Sequence, residues 1–314
     1  MLEYYVNTLG PGDVFRDWLV EILGDRISNK YCETDVFKYD RSSHTVCKYK
    51  FRGEGCSVIV KFFAEPRGKN RSYDAFKAMM NEYNNLKKAG SFINVPKPIA
   101  VHEGFNCALV TEYISGRSLM WCLKHDNKLF DRLTSLAYLL RSLHENTRCH
   151  YNKEKEFANF HHVLDQLSLN PHTRQAFNEL LGKWWYSSVL DVEHGCMIHR
   201  DVSPLNYIFH DNGPYALDLE SCWHHANNVR DLGTFCAELK NYFQLKRRSG
   251  IKAEPYIGHF LWEYSKDKED FSRLTRALPF FMSVGLLRIA RLHGHSLHYQ
   301  YLLKEAGECL ETIR

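Results

Sequence analysis

Apolar and polar positions alternate over Val36-Phe37-Lys38-Tyr39 and again over Thr45-Val46-Cys47-Lys48-Tyr49-Lys50-Phe51, with the polar turn Asp40-Arg41-Ser42-Ser43-His44 between them. A second break, Arg52-Gly53-Glu54-Gly55, leads into Ser57-Val58-Ile59-Val60-Lys61-Phe62-Phe63. Short runs rich in β-branched and aromatic residues, separated by turn residues, predict an antiparallel meander. The period then changes. Residues 73–89 place apolar side chains at helical spacing and stop at Gly90, which predicts a glycine-capped helix. Two more strands are expected near Pro98–His102 and Ala108–Glu112, and Tyr113-Ile114-Ser115-Gly116 reads as a connection to a second lobe.

Beyond Gly116 the pattern is mostly helical. Leu133, Leu136, Ala137, Leu140 and Leu143 recur at three- and four-residue spacing, which predicts a buried amphipathic helix ending near His144. Further helices are expected within 171–190, 229–244, 256–266, 271–293 and 297–313. The expected fold class is α+β: a bilobal chain with an N-terminal antiparallel sheet carrying one main helix (1–113) and a mostly helical C-terminal lobe (114–314). A length of 314 residues suits two lobes with packed cores.

Composition narrows the partners. A net charge of only +4, without a long basic run, does not mark nucleic acid as a partner. Ten cysteines include no CxxC pair and none at zinc-ligand spacing with histidine, so they read as reduced thiols and a cytoplasmic location is expected. Met1-Leu2-Glu3-Tyr4-Tyr5 lacks the basic start and apolar core of a secretion signal. The apolar stretch 278–289 is closed by Arg288 and Arg291 and is too short for a bilayer, so it reads as a core helix with no transmembrane segment. Nothing in the pattern sets the oligomeric state.

The chemistry gathers in His199-Arg200-Asp201-Val202-Ser203-Pro204-Leu205-Asn206, followed by Ala216-Leu217-Asp218-Leu219-Glu220. Phosphoryl transfer from ATP needs a carboxylate to orient the attacking hydroxyl and oxygen ligands for the magnesium that bridges the phosphates. Asp201 suits the first role, and Asn206 and Asp218 suit the second. Asp211-Asn212-Gly213 is a hairpin signal between the two short strands of this segment. Lys61 ends a Val-Ile-Val run, where a lysine is costly unless it meets negative charge. It is expected on the ATP phosphates, held by Glu82 of the following helix; a solvent-facing edge-strand lysine is the alternative. Ser42 and Ser43 lie in the turn where a phosphate-covering hairpin belongs, and their hydroxyls and amides can donate to phosphate; an ordinary hairpin turn is the alternative. Glu220 would share a side with Asp218 on an extended backbone, as a ligand or a solvated charge. Asp231 reads as a helix N-cap or as an anchor for the Asp201 loop.

These residues resemble the protein-kinase-like superfamily over nearly the whole chain. The resemblance implies a two-lobed ATP-binding fold, magnesium dependence, and the roles just given to Lys61, Asp201, Asn206 and Asp218, with Glu112 and Tyr113 beside the nucleotide. Two spacings favour one branch. Leu143-His144 is separated from His199 by about 55 residues, room for extra helices, and Asp218 lies only thirteen residues before Asp231 with no Ala-Pro-Glu motif. Both features are similar to the aminoglycoside phosphotransferase and choline kinase branch, which acts on small hydroxylated molecules. Arg200 departs from that branch, where glycine is usual, and is expected to meet an anionic substrate group or a structural carboxylate.

The expected activity is thus transfer of the γ-phosphate of ATP to a hydroxyl of a sugar, aminoglycoside or amino-alcohol. Trp184, Trp185, Tyr186, Trp223 and Trp262 are candidates for the acceptor pocket or for the core. An atypical Ser/Thr protein kinase, a lipid-sugar kinase and an inactive nucleotide-binding pseudokinase are the alternatives.

Overall fold

A computed structural model of the chain describes residues 3–40, 44–64, 73–125, 128–294 and 296–313. In chain order the first elements are β1 (Glu3–Leu9), α1 (Val14–Leu23), β2 (Thr34–Tyr39), β3 (Thr45–Phe51), β4 (Ser57–Phe62), α2 (Ala75–Ala89), β5 (Pro98–His102) and β6 (Ala108–Glu112). Next come β7 (Arg117–Ser118), α3 (Leu119–His125), α4 (Leu129–Asn146), α5 (Lys153–Asp165), α6 (Pro171–Tyr186), β8 (Cys196–Ile198), β9 (Tyr207–His210) and β10 (Gly213–Ala216). The chain closes with β11 (Trp223–Ala226), α7 (Val229–Arg247), α8 (Glu254–Tyr264), α9 (Lys268–Ala290) and α10 (Leu297–Glu311). Its contacts divide it into two compact units, Met1–Gly116 with His210–Glu220, and Arg117–Phe209 with Ser221–Arg314.

The first unit is built on a six-stranded antiparallel sheet ordered β1-β2-β3-β4-β6-β5. Val58 and Val60 of β4 join one core cluster with Leu19, Val20 and Leu23 of α1. Strand alternation turns Lys61 to the opposite face. Both β1 and α1 lie outside the expected meander. Helix α1 hides in the sequence because its buried stripe, Arg16, Leu19, Val20 and Leu23, includes a charge. Two main-chain carbonyls, of Lys30 and Cys32, each accept from the Arg16 guanidinium at 2.6 Å, which makes its burial tolerable. The expected lobe boundary after residue 113 differs from these units: the later segment His210–Glu220 joins the sheet unit. There Ala216 donates its amide to the Asn94 carbonyl at 3.0 Å, and the Asn85 side chain donates to the Leu219 carbonyl at 2.9 Å.

The second unit is helical. Helix α4 packs on α8, and α9 packs on both α7 and α10. The expected helices are present with shifted ends, and α5, which the pattern reading left unassigned, fills part of the stretch between His144 and His199. Asn152 caps α5 by accepting the Lys155 amide at 2.8 Å, and Phe157, Phe160, Val163 and Leu164 form its buried face. The expected core helix around 278–289 lies within α9. No helix among the described residues is long and apolar enough to cross a membrane.

The crossing of α7 and α9 is set by glycines. A Cβ on Gly233 would stand 2.6 Å from the carbonyl carbon and Cβ of Phe281, and one on Gly285 would stand 2.8 Å from the Ala237 Cβ. Neither contact has room without moving a helix. Gly233→Ala is expected to destabilise the protein by about 1–3 kcal/mol through overpacking, measured by urea unfolding; an unchanged midpoint would show that the crossing is loose.

Candidate active site

Within the first unit, Lys61 occupies a strand with neighbours on both sides, so the edge-strand alternative does not hold. Its ammonium lies 2.8 Å from Glu82 Oε2, 2.7 Å from Asp218 Oδ1 and 2.8 Å from Glu220 Oε2. It also lies 4.9 Å from the Phe63 ring centre. Glu82 is buried on α2 between Met79 and Leu86, where the apolar face meets the sheet. Burial works to lower the Lys61 pKa, but the charges of Glu82, Asp218 and Glu220 more than reverse it and hold it well above its ordinary value. The Glu82 pKa is raised too, which for a carboxyl favours the neutral form: burial lifts it, and the Lys61 charge pulls it only partly back.

Glu220 reaches Lys61 by a route the sequence did not suggest. The backbone is not extended there: Asp218 has φ +57°, and Leu219–Ser221 form a tight helical turn. That turn swings Glu220 onto the ammonium, where its other contact is the buried His44, 3.0 Å away. Burial pushes the Glu220 carboxyl up, yet the His44 hydrogen bond and the Lys61 charge together take it down to about 2. His44 was read only as the end of a turn; nothing in its sequence neighbourhood marks a partner 176 residues away. Ser42 and Ser43 lie outside the described residues. The Glu112 amide donates to the Lys97 carbonyl at 3.0 Å, and the Tyr113 ring lies 4.6 Å from the Lys48 ammonium.

Within the second unit, Asp231 sits in the first turn of α7, three residues after the cap position Asn228. It is therefore an anchor rather than an N-cap. Its carboxylate is fully buried and accepts the amides of His199 and Arg200, each at 2.7 Å, while His144 Nε2 lies 3.1 Å away. Burial would raise this carboxyl, but His144 and the loop amides hold it below its ordinary value. Two consecutive amides aimed at one carboxylate require a sharp backbone, and Arg200 adopts φ +68°.

Asp201 follows that bend, with its side chain 42% exposed. The Asn206 side-chain amide donates to its carboxylate at 2.9 Å and to its carbonyl at 3.0 Å. The nitrogen of Asn206 is thereby committed to Asp201, and its amide oxygen faces the other way. Arg288 of α9 donates to the Arg200 carbonyl at 2.6 Å and lies 3.8 Å from Asp201 Oδ1. The sequence offered Arg288 only as the end of an apolar stretch. A charge retained inside a core helix was the available signal.

The structure thus brings Lys61, Glu82, Asp218 and Glu220 together in one unit, and Asp201 and Asn206 together in the other. All the oxygen donors are hard ligands that suit a magnesium ion. Of the aromatic candidates, Trp184 is core, donating to the Leu310 carbonyl at 2.9 Å, whereas Trp262 and Tyr186 are exposed. Trp223 lies among the cations Lys155, Arg200 and Arg230.

Two experiments test these assignments. Lys61→Met, in EDTA, leaves three carboxylates whose oxygens fall within 4.8 Å of one another. They would then hold protons more tightly folded than unfolded, and a carboxyl raised in this way loses stability as pH rises. The variant is expected to match the parent near pH 5 and to fall about 1–3 kcal/mol behind it by pH 8, read from thermal melts; a gap of equal size at both pH values would contradict this. Asp231→Ala leaves two buried amides without an acceptor and is expected to cost about 3–5 kcal/mol, read by urea unfolding.

No curated protein is significantly similar to the sequence. Residues 42–244 match the model of the phosphotransferase enzyme family APH. A choline/ethanolamine kinase family protein from Mesorhizobium loti has a similar fold at 14% identity and TM-score 0.60, over 96% of this chain and 95% of that one. Amicoumacin kinase hAmiN, solved with AMP-PNP, Ca2+ and amicoumacin, is similar at 17% identity and TM-score 0.57, over 88% and 87% of the two chains. Aminoglycoside phosphotransferase APH(2'')-Ib, in its ADP-bound structure, is similar at 14% identity and TM-score 0.56, over 96% and 97%. With the family match spanning well over half of its length, the chain belongs to the phosphotransferase enzyme family, within the protein-kinase-like superfamily.

Proposed function

We propose that the protein transfers the γ-phosphate of ATP, with magnesium, to a hydroxyl of a small molecule of the sugar, aminoglycoside or amino-alcohol type in the cytoplasm. The observation that carries this reading is Asp201: a carboxylate partly open to solvent, oriented by Asn206 at 2.9 Å on a loop pinned by a buried acid. Such a group can accept the hydroxyl proton as the acceptor oxygen bonds to phosphorus and the bond to the ADP leaving group breaks. Lys61 supplies positive charge for the phosphates, with Glu82 holding its ammonium. Asn206 and Asp218 are the ligands offered to magnesium, which when bound neutralises charge on the phosphates. The first unit provides the nucleotide-binding set, with Glu112 and Tyr113 assigned beside the nucleotide, and the second provides the acceptor set.

A small acceptor is favoured over a protein by what lies between Asp218 and Asp231. Those residues form a tight turn and the short strand β11, which pairs with β8. They leave little chain for a peptide-binding platform.

ADP release across a panel of hydroxylated metabolites and aminoglycosides tests the reading. Asp201→Asn is expected to reduce turnover by about 10²–10⁴-fold, and EDTA to abolish it until magnesium is restored. Equal rates in variant and parent would favour a nucleotide-binding module without catalysis. Turnover confined to protein substrates would favour an atypical protein kinase.

A further inference from the structure

Charge around Asp201 is unevenly committed. Three guanidiniums, Arg200, Arg230 and Arg288, come together in this part of the second unit, close enough that each of Arg230 and Arg288 disfavours the charge on Arg200. Two carboxylates face them. Glu156 is bonded to Arg230, both being 1% exposed. Asp201 is bonded to Asn206 and, on the proposed function, is reserved for the acceptor hydroxyl. A third acid, Glu238, is raised to about 7 by burial and by the Asp201 charge, so much of it is neutral near that pH.

Arg200 is the guanidinium left over. Its guanidinium donates to the neutral Asn159 amide oxygen at 3.3 Å, and its Nε is buried with no hydrogen-bond acceptor among the described residues. Its pKa is lowered to about 10, by burial first and then by the two neighbouring arginines, which outweigh the attraction of Glu156 and Asp201. The backbone there is left-handed, a conformation that glycine adopts freely and an arginine only with strain. A strained position holding an under-partnered, half-buried cation is one where the side chain has a use.

Trp223 points the same way. The Lys155 ammonium lies 4.7 Å from its ring centre, the Arg230 guanidinium 4.7 Å and the Arg200 guanidinium 5.5 Å. A ring already serving three cations is a poor seat for a fourth. An ammonium-bearing acceptor would enter against this charge, whereas an anion would complete it.

We propose that the acceptor carries an oxyanion, a carboxylate or a phosphate monoester, and that Arg200 receives it beside Asp201. The inference rests on the phosphotransferase reading and narrows it to acidic or already phosphorylated polyols and sugars. Arg288, tied to the Arg200 carbonyl, holds the receiving residue in place and adds to the attraction. Guanidinium and oxyanion match in planar, two-bonded geometry, which makes arginine better suited than lysine here.

The test uses acceptors that differ in one group: gluconate, glucose 6-phosphate, glucose and glucosamine, with glycerate, glycerol 3-phosphate, glycerol and 2-amino-1,3-propanediol as a shorter series. In ADP-release assays the anionic members are expected to lead the neutral ones in kcat/KM by about 10–100-fold, with the amines last. Preference for a neutral or amine acceptor would overturn the inference and leave the phosphotransferase reading intact. Arg200→Met is expected to reduce the anionic-to-neutral ratio about 10–100-fold through KM, and Arg200→Lys to recover part of it. Should Arg200→Met fold poorly, Arg200→Gly relieves the backbone and poses the same question. If no acceptor in either series is turned over, the phosphotransferase reading for such small acceptors fails. Calorimetric titration of glycerol 3-phosphate into protein saturated with AMP-PNP then decides the anion site without turnover. Binding that Arg200→Gly abolishes supports the site, and absence of binding to the parent protein overturns it.

Discussion

The Asp231 carboxylate, sealed in the second unit, has to be satisfied by whatever surrounds it, and the His144 ring and two adjacent main-chain amides share that work. An uncompensated buried charge is costly, so the loop is not free to relax away from it. The left-handed bend at Arg200 follows from that demand. From the bend come the direction of Asp201, the reach of Asn206 back to it, and the placement of the Arg200 side chain among other cations. One electrostatic obligation therefore sets three side-chain positions.

The first unit solves a related problem with the opposite sign. A cation is placed inside a sheet, and carboxylates from α2 and from the segment after β10 converge on it. The arrangement is over-supplied with negative charge, three acids against Lys61 with His44 at the edge. In the proposed reaction, phosphates and a divalent ion enter this set, and the excess acid suits a site that must exchange partners. Glu220 held ionised by His44 and Lys61, beside Glu82 pushed toward its neutral form by burial, gives neighbouring acids different tasks.

Much of this was legible in the sequence because it is encoded locally. Strand alternation around Lys61, the spacing from Asp201 to Asn206 and the two short strands before Asp218 are properties of a few consecutive residues. Their chemistry also has few explanations besides phosphoryl transfer. Other parts depended on contacts between distant segments. Helix α1 was obscured by Arg16, whose burial makes sense only once the carbonyls of Lys30 and Cys32 are in place. Helix α5 was obscured by its charged first turn, although its apolar residues keep helical spacing. Glu220 was expected to follow an extended backbone, and the positive φ at Asp218 redirects it. His44 and Arg288 carried no spacing signal at all.

The crossing of α7 and α9 has a bearing on how the enzyme could be altered. Asp231 and Glu238 ride on one of these helices and Arg288 on the other, and Gly233 and Gly285 let their backbones nearly touch. Volume added on one helix has nowhere to go unless the other retreats, and retreat would carry the arginine away from the acids. Asn159 of α5, which accepts from Arg200, is only partly buried and has no such close backbone contact, although Glu156, Phe157 and Phe160 of the same helix are buried. Libraries aimed at new acceptors would therefore keep more folded members if diversity were confined to Asn159 and the exposed positions of α5, with its buried face and the crossing left untouched.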